Sequence, residues 1–193
     1  MAANFDILLN RMLRAGVKPN TNAAREWFRK KIRDARVSRQ SLLSDRDRSR
    51  GRPQIGRMYC YAYDPKYADK LPYYDEFPLI FMVKPEPGGF LGINLHYVSP
   101  RNRIVIMDSL SRIANNDKYD ETTKLQLTWR TLSNLSKFKM IKPCVKKYLY
   151  SHVRSKFVMI EANEWDLGIF LPVQKFRKAG PSKVWSDSAQ MGR

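Results

Sequence analysis

The stretch "LIFMVKPEPGGFLGINLHYV", residues 79 to 98, decides the fold of this chain. Two apolar runs, residues 79–84 and 90–98, flank the segment PEPGG. Prolines preset the backbone for a turn, and glycines adopt backbone angles that other residues avoid, so this segment predicts a β-hairpin. The centre of the chain is therefore expected to be built on paired strands.

A second strand is predicted upstream of the hairpin. Tyr59, Tyr61 and Tyr63 alternate with Met58, Cys60 and Ala62, a period-two pattern typical of a strand covered on both faces. Aromatic side chains beside cations can also stack the bases of single-stranded nucleic acid. Alternating tyrosines next to proline-rich loops are equally what a packed sheet requires, and we interpret them as core residues.

Helical patterns lie on both sides of these strands. Apolar residues recur at helical spacing from about residue 5 to 15 and again from about 23 to 43. Ser99 before Pro100 and Asp120 before Glu121 are helix-start signals, and Pro143 is expected to begin another helix. Residues 157–161 and 167–173 are predicted as short strands. Mixed elements without a regular βαβ alternation indicate an α+β fold, a compact mixed sheet-and-helix core with an N-terminal helical, basic arm.

The sequence divides into three parts. Residues 1–57 form the helical basic arm and a linker, residues 58–188 the α+β core domain, and residues 189–193 a tail. Within the first part, residues 44–53 (SDRDRSRGRP) contain no large apolar side chain. Such a segment has little to bury, so we expect a flexible connector.

Positive charge is the largest signal in the composition, and it is unevenly distributed. The formal net charge is +18, with 36 Lys and Arg against 18 Asp and Glu. Residues 1–58 hold 15 basic and 5 acidic side chains, residues 59–136 hold 9 of each, and residues 137–183 hold 11 and 3. Two basic flanks around a neutral centre indicate a surface that faces a polyanion.

Nucleic acid is one candidate for that polyanion. Arg25, Arg29, Arg33 and Arg36 follow one face of the predicted second helix. A protein that neutralises about six phosphates loses roughly 10³- to 10⁵-fold in affinity between 50 and 200 mM salt, largely independently of base sequence. The candidate DNA-binding cations are Arg25, Arg29, Lys30, Arg33, Arg36, Arg39, Arg46, Arg48, Arg50, Arg52, Lys146, Lys147, Arg154 and Lys156.

Catalytic and metal sites have little support in the sequence. Two cysteines without a CxxC pair and two histidines are too few for a structural zinc site, and we expect both thiols to be buried. A metal-dependent nuclease would need converging carboxylates, for which Asp64, Glu161, Glu164 and Asp166 are the candidates. No catalytic motif accompanies them. We therefore predict a non-enzyme with no cofactor and no metal, and with His96 as a packed or hydrogen-bonded residue.

Membrane insertion is not expected either. The longest uninterrupted apolar run, Leu79 to Val83, is far below the roughly 20 residues of a membrane helix. No N-terminal signal sequence is recognisable. The sequence therefore predicts a soluble protein.

Three phrases give the chain a family resemblance: "LPYYDEFPLIF" (71–81), "GFLGINLHYVSP" (89–100) and "KYLYSHVRS" (147–155). With residues 51–188 around them, they resemble a family of small virion proteins of tailed, often T4-like, bacteriophages known as DNA end protector proteins. The resemblance implies a protein that caps the ends of packaged double-stranded DNA against host exonuclease, where the head joins the tail. It implies no catalytic residues.

These observations leave two main functional hypotheses. The first is a virion structural protein, assembled in the host cytoplasm, that binds the ends or exit path of packaged double-stranded DNA at the head-tail junction. It would act in multiple copies in a symmetric assembly, beside other virion proteins. The alternative is a tail or baseplate subunit whose positive surface contacts only acidic virion proteins. A head-completion nuclease is a third hypothesis.

Overall fold

The structure is a computed structural model that describes residues 4–32 and 37–192. Its helices are α1 (Asn4–Arg14), α2 (Asn22–Lys31), α3 (Arg39–Leu43), α4 (Pro100–Ala114), α5 (Glu121–Leu135), α6 (Trp165–Gly168) and α7 (Pro181–Met191). Its strands are β1 (Ser49–Arg50), β2 (Met58–Cys60), β3 (Tyr74–Asp75), β4 (Leu79–Glu86), β5 (Gly89–Asn94), β6 (Val145–Leu149), β7 (Phe157–Ile160) and β8 (Phe176–Arg177). The predicted α+β class is confirmed.

One antiparallel sheet organises the molecule. Its six strands lie in the order β1-β7-β2-β4-β5-β6, and β3 pairs separately with β8. The predicted hairpin is confirmed as β4–β5, from Ile80 opposite Asn94 to Glu86 opposite Gly89. Gly88 occupies the turn at φ +70°, and a side chain at Gly89 would overlap the carbonyl oxygen of Tyr148 on β6. Glycine is thus required both for the turn and for the approach of the next strand.

Each face of the sheet has its own hydrophobic cluster. On one face, Met58 and Phe81 pack in a cluster with Met12 of α1, Phe28 of α2 and Leu110 of α4. The other face carries an aromatic cluster, defined as Tyr59, Tyr61, Tyr63, Ile80, Met82, Phe90, Tyr148 and Phe157. These tyrosines are buried, which confirms their interpretation as core residues.

The sheet curls around the aromatic cluster. Phe157 on β7 and Phe90 on β5 have ring centroids 5.7 Å apart, although β2 and β4 lie between their strands. The segment from Tyr150 to Arg154 runs across the open side of the curl. There the amide of Arg154 donates to the carbonyl of Ala62 at 2.8 Å, and that of Tyr150 to the carbonyl of Gly88 at 3.0 Å. The aromatic side chains are therefore enclosed.

The starts of two helices were predicted correctly, but the extent of the second predicted helix was not. Ser99 caps α4 and Asp120 caps α5, as the sequence indicated. The segment from 23 to 43 is not one helix, because Ser38 adopts an extended conformation and caps a separate α3. None of the helices that the structure describes is long and apolar enough to cross a membrane.

Two predictions for the C-terminal half are wrong. The helix expected from Pro143 is instead a 3-10 turn followed by β6, whose period-two pattern places Tyr148 in the aromatic cluster. Residues 167–173 form no strand, because α6 occupies Trp165–Gly168 and turns follow. Helical and strand spacing are hard to separate in apolar runs this short.

The arginine-rich connector contributes one strand to the main sheet. Ser49 and Arg50 pair with Val158 and Phe157 as an edge strand of the main sheet. The amide of Met159 also donates to the carbonyl of Arg48 at 2.9 Å. Residues on both sides of position 57/58 pack in one hydrophobic cluster, and position 188/189 lies within α7.

Candidate nucleic-acid interface

Pairing of β1 with β7 brings the two basic flanks of the sequence together. Arg50 lies opposite Phe157 in the antiparallel register, so the chain beyond Arg50 runs beside the chain that precedes Phe157. The first carries Arg52, and the second carries Arg154 and Lys156. We define the basic edge as the cations carried by β1 and by the chain next to the β1–β7 pairing: Arg46, Arg50, Arg52, Arg154 and Lys156.

In the basic edge, Arg50 is hydrogen-bonded to the backbone, and three other cations are exposed. The guanidinium of Arg50 donates to the carbonyls of Asp47 at 2.7 Å and Ser49 at 3.0 Å, while Arg46, Arg52 and Lys156 are exposed. Arg52 lies over the ring of Tyr150, 6.0 Å from its centroid. Cations on a fixed backbone can contact successive phosphates without a large ordering cost.

Arg154, in the basic edge, forms an ion pair with Asp64. Its guanidinium lies 3.2 Å from the carboxylate of Asp64, with about half of each side chain exposed. Exposed ion pairs of this kind contribute little, so a phosphate can compete for Arg154. This ion pair gives Asp64 a structural partner, whereas the sequence had suggested Asp64 as a nuclease carboxylate.

Arg25 was predicted on an exposed basic face, and the structure corrects this. Its guanidinium is buried, and Nε donates to Asp166 at 2.7 Å while Nη1 donates to Asp108 at 2.5 Å. Burial by itself would lower the pKa of Arg25, but the hydrogen bonds to the two carboxylates outweigh it and raise the pKa. Arg25 therefore joins α2 to α4 and α6.

Arg48 is likewise built into the fold. It forms ion pairs with Asp6, Asp45 and Glu164, and only 12% of its side chain is exposed. Burial raises the pKa of Glu164 despite the hydrogen bonds from Arg48, because the carboxylate is almost completely desolvated. The guanidinium stays charged throughout, so Arg48 acts as an internal counter-ion.

Two further candidates make intramolecular contacts. Arg39 donates from Nε to the carbonyl of Val173 at 2.8 Å and from Nη2 to the carbonyl of Gln174 at 2.9 Å, which attaches α3 to the chain after α6. Lys146 lies over the ring of Tyr97, 4.2 Å from its centroid, and burial lowers its pKa. Both cations therefore contact other parts of the fold, Arg39 through hydrogen bonds and Lys146 through a cation–π contact.

The remaining candidates lie on separate elements. Arg29 and Lys30 are exposed on the last turn of α2, and Lys147 is exposed on the edge strand β6. Arg33 and Arg36 lie outside the residues that the structure describes. The pairing of β1 with β7 does not include the elements that carry Arg29, Lys30 and Lys147. These three cations are therefore exposed outside the basic edge.

Sequence reasoning missed other exposed cations. Arg14 and Lys18 follow one another at the end of α1 and in the next loop. A second group lies between α5 and β6: Lys137, Lys139 and Lys142. The absence of acidic residues between Glu121 and Glu161 was a signal that could have identified this second group.

The carboxylates considered for nuclease chemistry do not converge. Glu164 pairs with Arg48 and Asp166 with Arg25, while Glu161 lies 3.8 Å from Arg57. Within residues 4–32 and 37–192, no group of three or more His, Cys, Asp or Glu side chains is arranged to hold a metal ion. These carboxylates neutralise arginines in the fold.

His96 belongs to a closed hydrogen-bond network. Its Nδ1 lies 2.6 Å from Oδ2 of Asp75, which also accepts a hydrogen bond from Asn94. Arg103 and Trp185 both donate to the carbonyl of His96. The expectation of a hydrogen-bonded, buried histidine is confirmed.

The fold and this surface define an α+β protein that presents a strip of arginine and lysine at one edge of a curled aromatic sheet. The family described as phage T4 terminal DNA protecting protein matches residues 2–188, and the chain therefore belongs to that family. This confirms the resemblance carried by the three sequence phrases. No curated protein and no solved structure matches the chain.

Proposed function

We propose that this protein binds the ends of linear double-stranded phage DNA and shields them from exonucleases. The family's description supports an end-protecting role. The observation that carries the proposal is the pairing of β1 with β7, which joins cations from both basic flanks in one exposed strip.

The basic edge suits a backbone contact that is independent of sequence. Arginine binds phosphate through a planar, multi-donor group, and Arg52, Arg154 and Lys156 extend from paired backbone. Each phosphate neutralised releases condensed counter-ions, so affinity falls steeply with salt. Protection then results from occupying the duplex terminus, without any chemical step.

The proposed setting is the assembled virion. DNA ends that require protection lie where the packaged genome leaves the head, so we place the protein at the head-tail junction. It would act there in several copies beside other virion proteins. The ion-paired state of Glu164 and Asp166 supports a structural rather than an enzymatic role.

A tail or baseplate subunit remains the second candidate, and one surface favours it. Phe138, Met140 and Met191 are 61%, 58% and 71% exposed, and Gly192 lies against the backbone of Lys139 and Met140. Apolar residues surrounded by lysines suit an acidic protein neighbour better than DNA.

A protection assay with purified protein tests the proposal. Linear duplex DNA is incubated with the protein and then digested with a double-strand exonuclease, and the same duplex closed by hairpins at both ends is used as a competitor. We expect protection of the open ends, weak competition by the closed duplex, and loss of protection at high salt. Equal competition by closed and open DNA would contradict end binding, and no DNA binding at low salt would favour the protein-contacting alternative.

A further inference from the structure

A DNA end exposes one feature that the interior of a duplex hides, the flat face of its terminal base pair. Every base has such a π-face, and an aromatic side chain beside cations can stack on it. The basic edge is suited to phosphates, which occur along the whole duplex. Recognition of an end therefore calls for an exposed aromatic ring near the basic edge.

Two aromatic side chains of the described residues are more than half exposed, Tyr67 at 52% and Phe138 at 61%. Phe138 lies between α5 and β6, outside the segments that carry the basic edge. Tyr67 lies between β2 and β3, in a stretch that we call the Tyr67 loop, residues 64–71. Contacts of this loop place Tyr67 next to the basic edge.

The Tyr67 loop begins against the segment that carries Arg154. The amide of Asp64 donates to the carbonyl of His152 at 3.1 Å, and Nδ1 of His152 lies 2.8 Å from the carbonyl oxygen of Asp64. The carboxylate of Asp64 lies 3.2 Å from the guanidinium of Arg154. The three residues from Asp64 to Tyr67 span at most roughly 11 Å, close to the roughly 12 Å width of a DNA major groove. Tyr67 and Arg154 are therefore close enough to contact one duplex end.

Hydrogen bonds hold the Tyr67 loop in place. The ammonium of Lys178 donates to three carbonyls of the loop, those of Ala68 at 2.6 Å, Asp69 at 2.9 Å and Leu71 at 3.0 Å. The amide of Leu71 donates to the carbonyl of Tyr67 at 3.0 Å. A ring on a fixed backbone loses little conformational freedom when a ligand binds to it.

Two exposed lysines flank the ring of Tyr67. Nζ of Lys66 lies 5.3 Å and Nζ of Lys70 lies 5.7 Å from the ring centroid. An exposed cation–π contact contributes only about twofold to fivefold to an equilibrium constant, whereas stacking of a base on an aromatic ring contributes about fivefold to 150-fold. A base face can therefore displace the lysines from the ring, and their charges then remain available for the phosphates beside it.

Charge around the loop also favours DNA. The loop contains two cations and two carboxylates, and two further cations contact it: Lys66 and Lys70 with Asp64 and Asp69, then Arg154 and Lys178. The additional cations leave an excess of positive charge near the ring. Such an excess attracts the phosphates of a DNA end.

We propose that Tyr67 stacks on the exposed face of the terminal base pair of duplex DNA, while Lys66 and Lys70 bind the phosphates beside it. The proposal rests on the proposed function and specifies how an end is distinguished from the interior of the duplex. Stacking needs no particular base, so blunt ends of different sequence should bind alike. A hairpin loop that covers the terminal base pair should prevent the contact.

Photocrosslinking of the unmodified protein tests the contact directly. The probe is a short duplex closed by a hairpin at one end, with 5-iododeoxyuridine in the terminal base pair of the open end, and a second probe carries this base in the middle of the duplex. Mass spectrometry should map the crosslink of the terminal base to residues 66–70, and the middle base should not crosslink there. Crosslinks of the terminal base confined to residues 46–57 would overturn the stacking proposal and leave end binding intact. Failure of both probes to bind would instead remove the proposed function.

Three variants test the aromatic ring. Tyr67→Ala removes the ring, and Tyr67→Phe keeps the ring without its hydroxyl. Phe138→Ala is the matched control, because it removes an exposed aromatic ring from another segment. All three substitutions are at exposed positions and should change stability little, which thermal unfolding checks.

Affinity is measured for an open-ended duplex and for the same duplex closed by hairpins at both ends. Tyr67→Ala should lower the affinity for the open-ended duplex by about fivefold to 150-fold and leave that for the closed duplex unchanged. Tyr67→Phe and Phe138→Ala should behave like the wild-type protein. Full retention of the preference for open ends in Tyr67→Ala, or an equal loss in Phe138→Ala, would contradict the assignment. Equal affinities of the wild-type protein for the two duplexes would instead contradict end binding itself.

Discussion

Arg48 and Glu164, which lie 116 residues apart in the sequence, form a bidentate ion pair. Their side chains are 12% and 2% exposed, and Asp6 and Asp45 also contact the guanidinium. This pair fixes the chain before β1 against the 3-10 turn at Ala162–Glu164. Arg48 therefore holds in place the backbone from which the neighbouring exposed arginines extend.

Removing Arg48 should destabilise the fold. Arg48→Ala leaves Glu164 buried without its counter-ion, and breaking a buried ion pair from one side costs about 3–5 kcal/mol in the free energy of unfolding. Arg46 is two residues away and exposed. Arg46→Ala should therefore change the free energy of unfolding by less than about 0.5 kcal/mol. Urea unfolding of both variants measures the difference. Similar values would show that Arg48 is a surface residue in solution.

Neutralising the basic edge should weaken DNA binding in a salt-dependent way. The double variant Arg52→Gln, Lys156→Gln removes two exposed cations, and each lost phosphate contact lowers the slope of log K against log salt by about 0.9. The slope should therefore fall by about 1.8, with little change in thermal stability.

Lys183→Gln, on α7 and exposed, provides the control for the DNA titrations. It removes a charge of the same kind from a different element. A loss of slope of about 0.9 in this control, half that of the double variant, would mean that net charge, and not the basic edge, determines binding.

Acid should destabilise the small β3–β8 sheet through Glu76. Burial alone would raise the pKa of Glu76, but Lys175 and Arg177 outweigh it and lower the pKa below 4.5. A depressed folded pKa gives stability that is present above the unfolded value and is lost as pH falls through the folded one. Stability should thus decline progressively below about pH 4.5.

Glu76→Gln should reduce this decline and cost up to about 1 kcal/mol at neutral pH, because its partners are about half exposed. Unfolding midpoints of the two proteins from pH 7 to pH 3 provide the measurement. Parallel curves would show that the Glu76 ion pairs do not form.

Both thiols should be unreactive in the native protein. Burial raises the pKa of Cys60 to about 12 and that of Cys144 to about 11, and both are free and buried. Because the thiolate is the reactive form, a disulfide reagent at pH 8 should modify neither until the chain unfolds, when both react. Rapid modification of one thiol under native conditions would place that thiol at the surface.

Two tyrosines of the aromatic cluster should respond differently to loss of the hydroxyl. The Tyr61 hydroxyl is buried without a partner among the described residues, so Tyr61→Phe should be neutral or stabilising. The Tyr148 hydroxyl accepts a hydrogen bond from Asn94 at 3.0 Å, so Tyr148→Phe should cost about 0.5–1.5 kcal/mol. Thermal unfolding compares them directly. A larger loss for Tyr61→Phe would indicate a partner such as bound water.

Local signals in the sequence were enough to predict the central hairpin, the starts of α4 and α5, and the burial of the tyrosines. The hairpin, the caps at Ser99 and Asp120, and the buried tyrosines all depend on neighbours within a few positions. The strand β6 was mistaken for a helix because its partner β5 lies more than 50 residues earlier. The roles of Arg25 and Arg48 were missed because their carboxylates lie 141 and 116 positions away.

The sequence by itself determined the α+β class, the aromatic core, the excess of cations on two flanks and the family. Only the tertiary structure decided which cations reach solvent. An arginine is taken into the interior when a distant carboxylate meets it there, as Asp166 meets Arg25, because a paired charge loses far less on desolvation than an isolated one. An arginine without such a partner stays at the surface, and pairing of β1 with β7 then places Arg52 beside the chain that carries Lys156.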